Sequence, residues 1–148
     1  MSASVEAPAH PAVEGPRFDL PTPDECTQPW WDAAREHKLL VQRCTGCGKA
    51  QLYPRPFCKS CWAEDLAWEE ASGKATLYTW SVVYSNDLPP FGPRVPYVAA
   101  IVDLDEGPRI MTNLYDVEPG EIRPHMALQV GFRKETDTIT LPVFRPAS

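Results

Sequence analysis

Two C-x-x-C pairs constrain this chain more than any other feature of its sequence. Cys44 with Cys47 forms the first pair and Cys58 with Cys61 the second, and ten residues separate the pairs. A C-x-x-C turn directs two sulfurs at one metal ion, and two such turns supply the four thiolates of a closed tetrahedral site. Gly48 follows the first pair, where a residue without a side chain lets the backbone fold over the metal. The pattern predicts a four-cysteine structural metal site.

The spacing of the cysteines does not distinguish one metal from another. Thiolates bind both zinc and iron, so we expect zinc and keep iron in a rubredoxin-like site as the alternative. Disulfides or a redox-active C-x-x-C fit less well, because no secretion signal precedes the pairs. Four cysteines leave no coordination position for a substrate. We therefore expect this metal to stabilise the fold and not to catalyse a reaction.

The net charge of −6 and the isoelectric point of about 5.0 disfavour one class of function. A nucleic-acid binder that follows the phosphate backbone depends on an excess of Lys and Arg. The N-terminus lacks a basic segment followed by an apolar core, and no apolar run approaches the ~20 residues of a membrane span. We expect a cytoplasmic protein that does not enter the membrane and is unlike a nucleic-acid binder.

One stretch of the chain is basic, although the chain as a whole is acidic. Between positions 43 and 59 there are four cations and no acidic residue, and the cations are Arg43, Lys49, Arg55 and Lys59. Such a patch could contact the phosphates of a small ligand, whereas a solvated rim around the metal loops is the simpler interpretation.

The first 70 residues are predicted to contain a tail and a small metal-binding unit. Residues 1–22 are rich in Pro, Ala and Glu and poor in large apolar residues, so we expect a disordered tail. A short aromatic helix follows, with Thr27 as its cap and Leu39 as its last residue. Short strands flanking the first cysteine pair complete a ribbon, and the whole unit is expected to span 23–70.

Residues 71–148 are predicted to form a barrel. Period-2 alternation and turn residues mark five strands with no convincing helix between them. The five segments are 75–84, 97–104, 109–115, 126–133 and 139–144. The chain is therefore expected to be mainly β, with an N-terminal short helix, a rubredoxin-like zinc ribbon and then a five-stranded OB-fold barrel.

Several segments together resemble one protein family. They are the aromatic helix that ends in LLVQRCTGCG, the second knuckle PRPFCKSCW, the segment ASGKATLYTWSVV, the strand region PYVAAIVDLDEGPRIMTNL and the terminal LPVFRPA. This combination resembles the bacterial and archaeal family of acyl-CoA-associated proteins that join a zinc ribbon to an OB fold, and it covers residues 27–147. The family usually carries a glycine near position 125, where this chain has His125, so we expect a local difference in that turn.

The resemblance implies a function for the chain. Members of the family are accessory subunits of thiolase-superfamily enzymes, among them the partner of the steroid side-chain aldolase and an archaeal subunit that bridges thiolase and hydroxymethylglutaryl-CoA synthase. The implied role is a non-catalytic subunit that docks on a thiolase-like enzyme of the lipid-transfer-protein type and helps to enclose its acyl-CoA site. A heterotetramer of two small and two large subunits, with a CoA thioester as the ligand of the complex, is the implied assembly.

If CoA or the partner contacts this chain, two surfaces are candidates. The first is the set of four cations between positions 43 and 59, which could meet the phosphates of CoA. The second surrounds the first barrel loop and consists of Tyr84, Phe91, Arg94 and Tyr97, although aromatic residues on a barrel more often belong to its core.

Two other functions remain as alternatives. Zinc ribbons and OB folds also bind nucleic acids, with aromatic side chains that stack on bases. An independent acyltransferase or aldolase would have to use Cys26 or His125. We predict no catalytic residue, because Cys26 has no evident base beside it and the three histidines are scattered along the sequence.

Overall fold

The computed structural model describes residues 5–148, in which one α-helix precedes most of the strands. In chain order the elements are β1 (Val5–Glu6), α1 (Gln28–Arg35), β2 (Leu40–Cys44), β3 (Ala50–Gln51), β4 (Leu66–Glu70), β5 (Lys74–Val83), β6 (Tyr97–Leu104), β7 (Arg109–Leu114), β8 (Ala127–Lys134) and β9 (Thr140–Pro146). Short 3-10 turns lie at Gly92–Arg94 and Pro119–Glu121. No helix within this range has the length and apolar character to cross a membrane.

Strands β5 to β9 close into a five-stranded barrel. Going round the barrel, β5 pairs with β6, β6 with β7, β7 with β9, β9 with β8, and β8 with β5 again. All of these pairs are antiparallel except β7 with β9, which meet at Leu114 and Phe144. This closure confirms the predicted five-stranded barrel that follows the helix and the ribbon.

Alternation along the strands fills the interior of the barrel. In β6 every second residue is buried, and the same periodicity in neighbouring strands places large apolar side chains inside. The side chains of Leu77, Val102, Phe132 and Phe144 have at most 1% of their surface exposed. Trp30 and Val41 from the N-terminal half belong to the same buried cluster, so the ribbon unit and the barrel share a core.

The ribbon is a three-stranded antiparallel sheet in the order β3-β2-β4. Its outer strand β4 was not predicted, because LAWEE carries two acidic residues and shows no apolar alternation. Five residue pairs between β2 and β4, from Leu40 with Glu70 to Cys44 with Leu66, nevertheless hold it in place. Long-range backbone pairing therefore decides this strand.

Helix α1 is shorter than predicted and begins differently. It ends at Arg35, four residues before the expected end, and the left-handed backbone of His37 at φ 61° turns the chain into β2. The Thr27 side chain makes no capping bond to the helix. Instead, the backbone N–H of Thr27 donates to Asp24 Oδ1 at 2.8 Å and that of Asp24 donates to Thr27 Oγ1 at 3.0 Å. The reciprocal pair fixes the entry to the helix.

The structure differs from the prediction of a disordered tail over residues 1–22. Residues 1–4 lie outside the described range, but β1 pairs in parallel with β8, and the N–H of Ala7 donates to the Phe132 carbonyl at 2.9 Å. Strand β5 pairs with β8 only from Ala127 to Gln129, which leaves the following residues of β8 available to β1. Backbone pairing and ion pairs hold this segment where its composition offered little apolar surface. The boundaries 23–70 and 71–148 stay predictions.

Candidate metal centre and ligand surfaces

The four cysteine sulfurs converge on one point. All four Sγ atoms lie within 4.8 Å of one another, with 3.6 Å between Cys44 and Cys61 and 3.6 Å between Cys47 and Cys58. A tetrahedral zinc with Zn–S bonds of about 2.3 Å requires sulfur–sulfur distances of about 3.8 Å. The donor set therefore fits a zinc ion.

Two similar turns present the sulfurs. After Cys44 the chain returns at Gly48, whose N–H donates to the Cys44 carbonyl at 2.8 Å and whose φ of 78° is the left-handed value that favours glycine. After Cys58 the equivalent position is Trp62, whose N–H donates to the Cys58 carbonyl at 2.9 Å with a φ of 69°. Trp62 thus adopts the left-handed backbone that glycine adopts in the first turn. Its ring is 73% exposed and stacks on Phe57.

Backbone N–H groups favour the thiolate form of the two buried cysteines. Those of Cys61 and Ser60 lower the pKa of Cys58 to about 6. The N–H of Cys47, which lies 3.4 Å from the Cys44 sulfur, is the main cause of a lowered pKa at Cys44. Because the thiolate is the metal ligand, these N–H groups prepare the site for a cation before it binds.

Two buried glutamines join the metal loops to the ribbon sheet. Gln51 donates from Nε2 to Gln42 Oε1 at 2.9 Å and to the Phe57 carbonyl at 3.0 Å. Its Oε1 accepts from the N–H of Lys59 at 2.9 Å, and Gln42 donates to the Arg55 carbonyl at 3.0 Å. These bonds fix the loop that carries the second cysteine pair against the strands that carry the first.

The structure brings three of the four predicted cations to one groove. Arg43, Lys49 and Lys59 line an open depression of about 550 Å³, while Arg55 does not. The groove is mixed in charge, since Asp103 and Glu106 line it too. Arg43 also forms an ion pair with Glu69 at 2.6 Å, outside the groove lining. Arg109 also lines the groove, and it pairs with Asp103 at 2.7 Å. Lys49 and Lys59 form no ion pair within the part of the chain that the structure describes, so they are available to a ligand.

The structure brings together three of the four residues of the second predicted surface. Phe91, Arg94 and Tyr97 line a cavity of about 360 Å³ at one end of the barrel, and the Phe91 and Tyr97 ring centroids are 6.1 Å apart. The side chain of Asn86 donates to the Tyr97 hydroxyl at 3.0 Å. Tyr84 is not part of the lining and is 70% exposed.

Sequence reasoning missed the charged floor of that cavity. Arg133 lies in β8, and its Nε donates to Glu135 Oε1 at 3.0 Å. Arg94 contacts the same carboxylate, and His10 from the N-terminal segment lines the cavity beside them. An arginine within an alternating strand, followed two residues later by a glutamate, was the available signal.

An apolar groove of about 590 Å³ lies where helix, ribbon and barrel meet. Its walls include Trp30, Trp31, Tyr53 and Met111. The Tyr53 hydroxyl accepts a hydrogen bond from the Met111 N–H at 2.8 Å, which connects the ribbon to β7. The Met111 side chain is 69% exposed. This groove therefore presents apolar surface to the outside.

The two residues considered for independent catalysis, Cys26 and His125, are not among the lining residues of these grooves and this cavity. Burial, followed by the charge of Asp24, raises the pKa of Cys26, which weakens it as a nucleophile. No hydrogen bond joins Cys26 to a histidine or carboxylate anywhere from residue 5 onward. His125 has left-handed backbone at φ 62°, and its N–H donates to the Leu77 carbonyl at 3.1 Å. It occupies the turn before β8, where the resemblance places a glycine.

Comparison with known proteins decides the family. "ChsH2, rubredoxin-like zinc ribbon domain" matches residues 31–67, and "ChsH2, C-terminal OB-fold domain" matches residues 68–133. A solved structure titled "Ltp2-ChsH2(DUF35) aldolase" superposes with a TM-score of 0.78 at 34% identity, over 87% of this chain and 100% of that one. The chain belongs to the DUF35 family. This membership agrees with the zinc ribbon indicated by the cysteine geometry.

Relatives of this DUF35 chain carry names that point to enzyme complexes. It is 36% identical over 118 residues to a "Probable enoyl-CoA hydratase alpha subunit" of Thermomonospora curvata, covering 80% of this chain but only 36% of that relative. It is 32% identical over 114 residues to a "DUF35 domain-containing scaffold protein" of Pyrococcus furiosus, covering 76% of this chain and 81% of that one. The "Benzoylsuccinyl-CoA thiolase subunit BbsA" of Geobacter metallireducens is 31% identical over 76 residues, about half of each chain.

Proposed function

We propose that this chain is an accessory subunit that docks on a thiolase-like enzyme acting on acyl-CoA thioesters, and that the larger partner carries out the chemistry. The observation that carries the proposal is the match over the full length of a chain from a structure titled "Ltp2-ChsH2(DUF35) aldolase". The relative named as a thiolase subunit and the one named as a scaffold point the same way.

The chemistry of the described residues supports a non-catalytic role. The four clustered thiols form a closed ligand set, which suits a structural metal. Cys26 has a raised pKa and lacks a base, so it does not meet the requirements of a nucleophile. A subunit with these features can position a partner enzyme without reacting itself.

The groove lined by Arg43, Lys49 and Lys59 is the surface that we propose for CoA. Its two free ammonium groups could bind phosphate oxygens, and its acidic members would keep it from binding long polyanions. The apolar groove around Trp31 and Met111 is a surface that the thiolase-like partner could cover. A heterotetramer and a cytoplasmic location, where thiolate ligands stay reduced, complete the proposal.

Co-purification tests the accessory role. The tagged chain is expressed together with a thiolase-like subunit from the same genome, and the eluate is examined for a complex and for cleavage of aliphatic, aromatic and steroid CoA thioesters. We expect a stable complex whose activity exceeds that of the large subunit alone. Turnover by this chain alone would contradict the proposal. Failure to bind any thiolase-like subunit, together with salt-sensitive binding of an oligonucleotide, would favour a nucleic-acid module instead.

A paired substitution tests the CoA surface within that complex. The change of Lys49 and Lys59 to Gln removes both free cations, and we expect KM for the CoA thioester to rise about tenfold with little change in kcat, because only ground-state phosphate contacts are lost. Lys38→Gln, which alters an exposed lysine outside the groove, serves as the matched control. An unchanged KM in the double variant would place CoA elsewhere.

A further inference from the structure

A cluster of three arginines surrounds a single buried carboxylate at one end of the barrel. Glu135 has a side chain only 3% exposed, and it accepts hydrogen bonds from Arg17 at 3.0 Å, from Arg94 at 3.2 Å and from Arg133 at 3.0 Å. Arg17 also binds Asp19 in a two-point contact at 2.8 and 2.9 Å. The cluster thus joins the N-terminal segment, the first barrel loop and β8.

The charges of this cluster do not balance. Three guanidinium groups face two carboxylates, which leaves one positive charge in excess. The Arg94 and Arg133 side chains are each only 9% exposed, so water screens this excess poorly. His10 adds no further positive charge, because burial together with Arg133 and Arg94 lowers its pKa and keeps its ring neutral. Among residues 5–148, Glu135 is the carboxylate that pairs with Arg94 and Arg133, and no further ion pair offsets the excess charge.

The excess charge lies at the floor of a cavity. Arg94 and Arg133 line the space of about 360 Å³, whose walls are formed by Phe91, Tyr97 and Leu114. Arg133 uses Nε for Glu135 and Nη2 for the Asn113 side chain. Its Nη1 makes no hydrogen bond to any residue from 5 to 148, and it is not among the enclosed atoms that lack a partner. A guanidinium edge is therefore available to a guest.

We propose that this cavity binds a small monoanionic carboxylate with an apolar body. The guanidinium edge matches a carboxylate in shape and charge, and the aromatic walls suit a ring or branched chain. Glu135, paired with Arg94 and Arg133 behind the cavity lining, and the exposed Glu118 within that lining oppose a second negative charge, which disfavours phosphate esters. The site is at the barrel end lined by the N-terminal residues Ala7 and Pro8, and it shares no lining residue with the Lys49 and Lys59 groove.

An NMR titration of the full chain with benzoate and benzamide tests this site. The two probes have nearly the same shape and differ in charge. We expect benzoate to shift the Arg133 Nε–H and Asn113 amide resonances in a saturable manner, and benzamide to leave them unchanged at equal concentration. Three results would overturn the proposal. They are equal shifts by both probes, shifts confined to other surfaces, and no shift with benzoate in tenfold or greater excess over the protein, up to about 10 mM.

Arg94→Gln provides the matched variant. Arg17 and Arg133 still pair with Glu135 in this variant, while the cluster changes from one excess positive charge to none. We expect benzoate affinity to fall at least about tenfold. Arg109→Gln, at the exposed pair with Asp103, is the control and should retain full affinity. Should the Arg94 variant fail to fold, Phe91→Ala removes one wall and leaves the cluster intact. Benzoate affinity that survives that change would also contradict the site.

Discussion

The ribbon and the barrel achieve stability by different means. Strand β3 of the ribbon has only two residues, and the ribbon sheet leaves its outer strand β4 largely exposed, so a metal held by the four cysteines would carry much of its order. The barrel closes five strands on one another around a core that includes Phe132 and Phe144. Stability in the barrel is shared among many apolar contacts, whereas the ribbon adds only a few residues, such as Val41 and Leu52, to the shared core and should depend strongly on the ion that its four cysteines would hold. The two regions should therefore respond differently to the same kind of damage.

Loss of a metal ligand is expected to have the largest effect. Cys58→Ser removes one of the four thiolates, and because metal-binding energy is folding energy in so small a unit, we expect the ribbon to unfold and the protein to lose its single equivalent of zinc. Metal analysis and the near-ultraviolet circular dichroism of the ribbon tryptophans would measure both. Cys26→Ser, outside the cluster, should leave metal content unchanged. A folded Cys58 variant without metal would contradict the comparison.

Truncation of the barrel core comes next. Phe144 is fully buried and joins β9 to β7, so Phe144→Ala should lower the free energy of unfolding by about 3–5 kcal/mol. Urea denaturation of the zinc-loaded protein would measure the change. Met111→Ala, on the exposed face of β7, should cost less than about 0.5 kcal/mol. We expect the Phe144 variant to keep its metal, which distinguishes damage to the barrel from damage to the ribbon.

The buried carboxylate makes the barrel end sensitive to acid. Burial raises the pKa of Glu135, but the hydrogen bonds from Arg17 and Arg94 outweigh it and hold the pKa below its usual value of 4.5. A carboxyl group with a lowered folded pKa adds stability above pH 4.5 and loses it as the pH falls through the folded value. We expect Glu135→Gln to cost about 3 kcal/mol at pH 7, because three guanidinium groups lose their anion.

Urea midpoints at pH 7, 5, 4 and 3 would test this prediction. The native chain should lose stability below pH 4.5 more steeply than the Glu135→Gln variant, which lacks the titrating group. Parallel slopes for the two proteins would show that Glu135 contributes nothing to the acid response. Asp137→Asn, an exposed acidic neighbour, controls for a general change of charge.

The connection between the two regions should give the smallest effect. Tyr53→Phe removes the hydroxyl that accepts from the Met111 N–H, and we expect a cost of about 1 kcal/mol. Amide hydrogen exchange at Met111 would report the lost bond directly. If exchange accelerates there while the metal stays bound, the contact joins the regions without supporting the metal. Unchanged exchange would show that the two regions are held together by their shared core alone.

The sequence by itself determined the cysteine cluster and the five barrel strands, and the resemblance of several segments pointed to the family. The cluster and the strands depend on local information: C-x-x-C turns bring their sulfurs together within four residues, and period-2 alternation marks which strand face is buried. The left-handed turn at Gly48 was likewise predictable from the residue type. The zinc ribbon and the OB barrel were therefore visible before any coordinates.

Only the tertiary structure decided which distant segments meet. The N-terminal segment joins β8 because β5 leaves part of that strand unpaired, and LAWEE becomes β4 because β2 offers it hydrogen bonds. The cluster around Glu135 brings together arginines from positions 17, 94 and 133, and their local sequence does not predict the contact. Backbone pairing and buried ion pairs depend on which segments folding brings together. Short residue patterns therefore do not predict these long-range contacts.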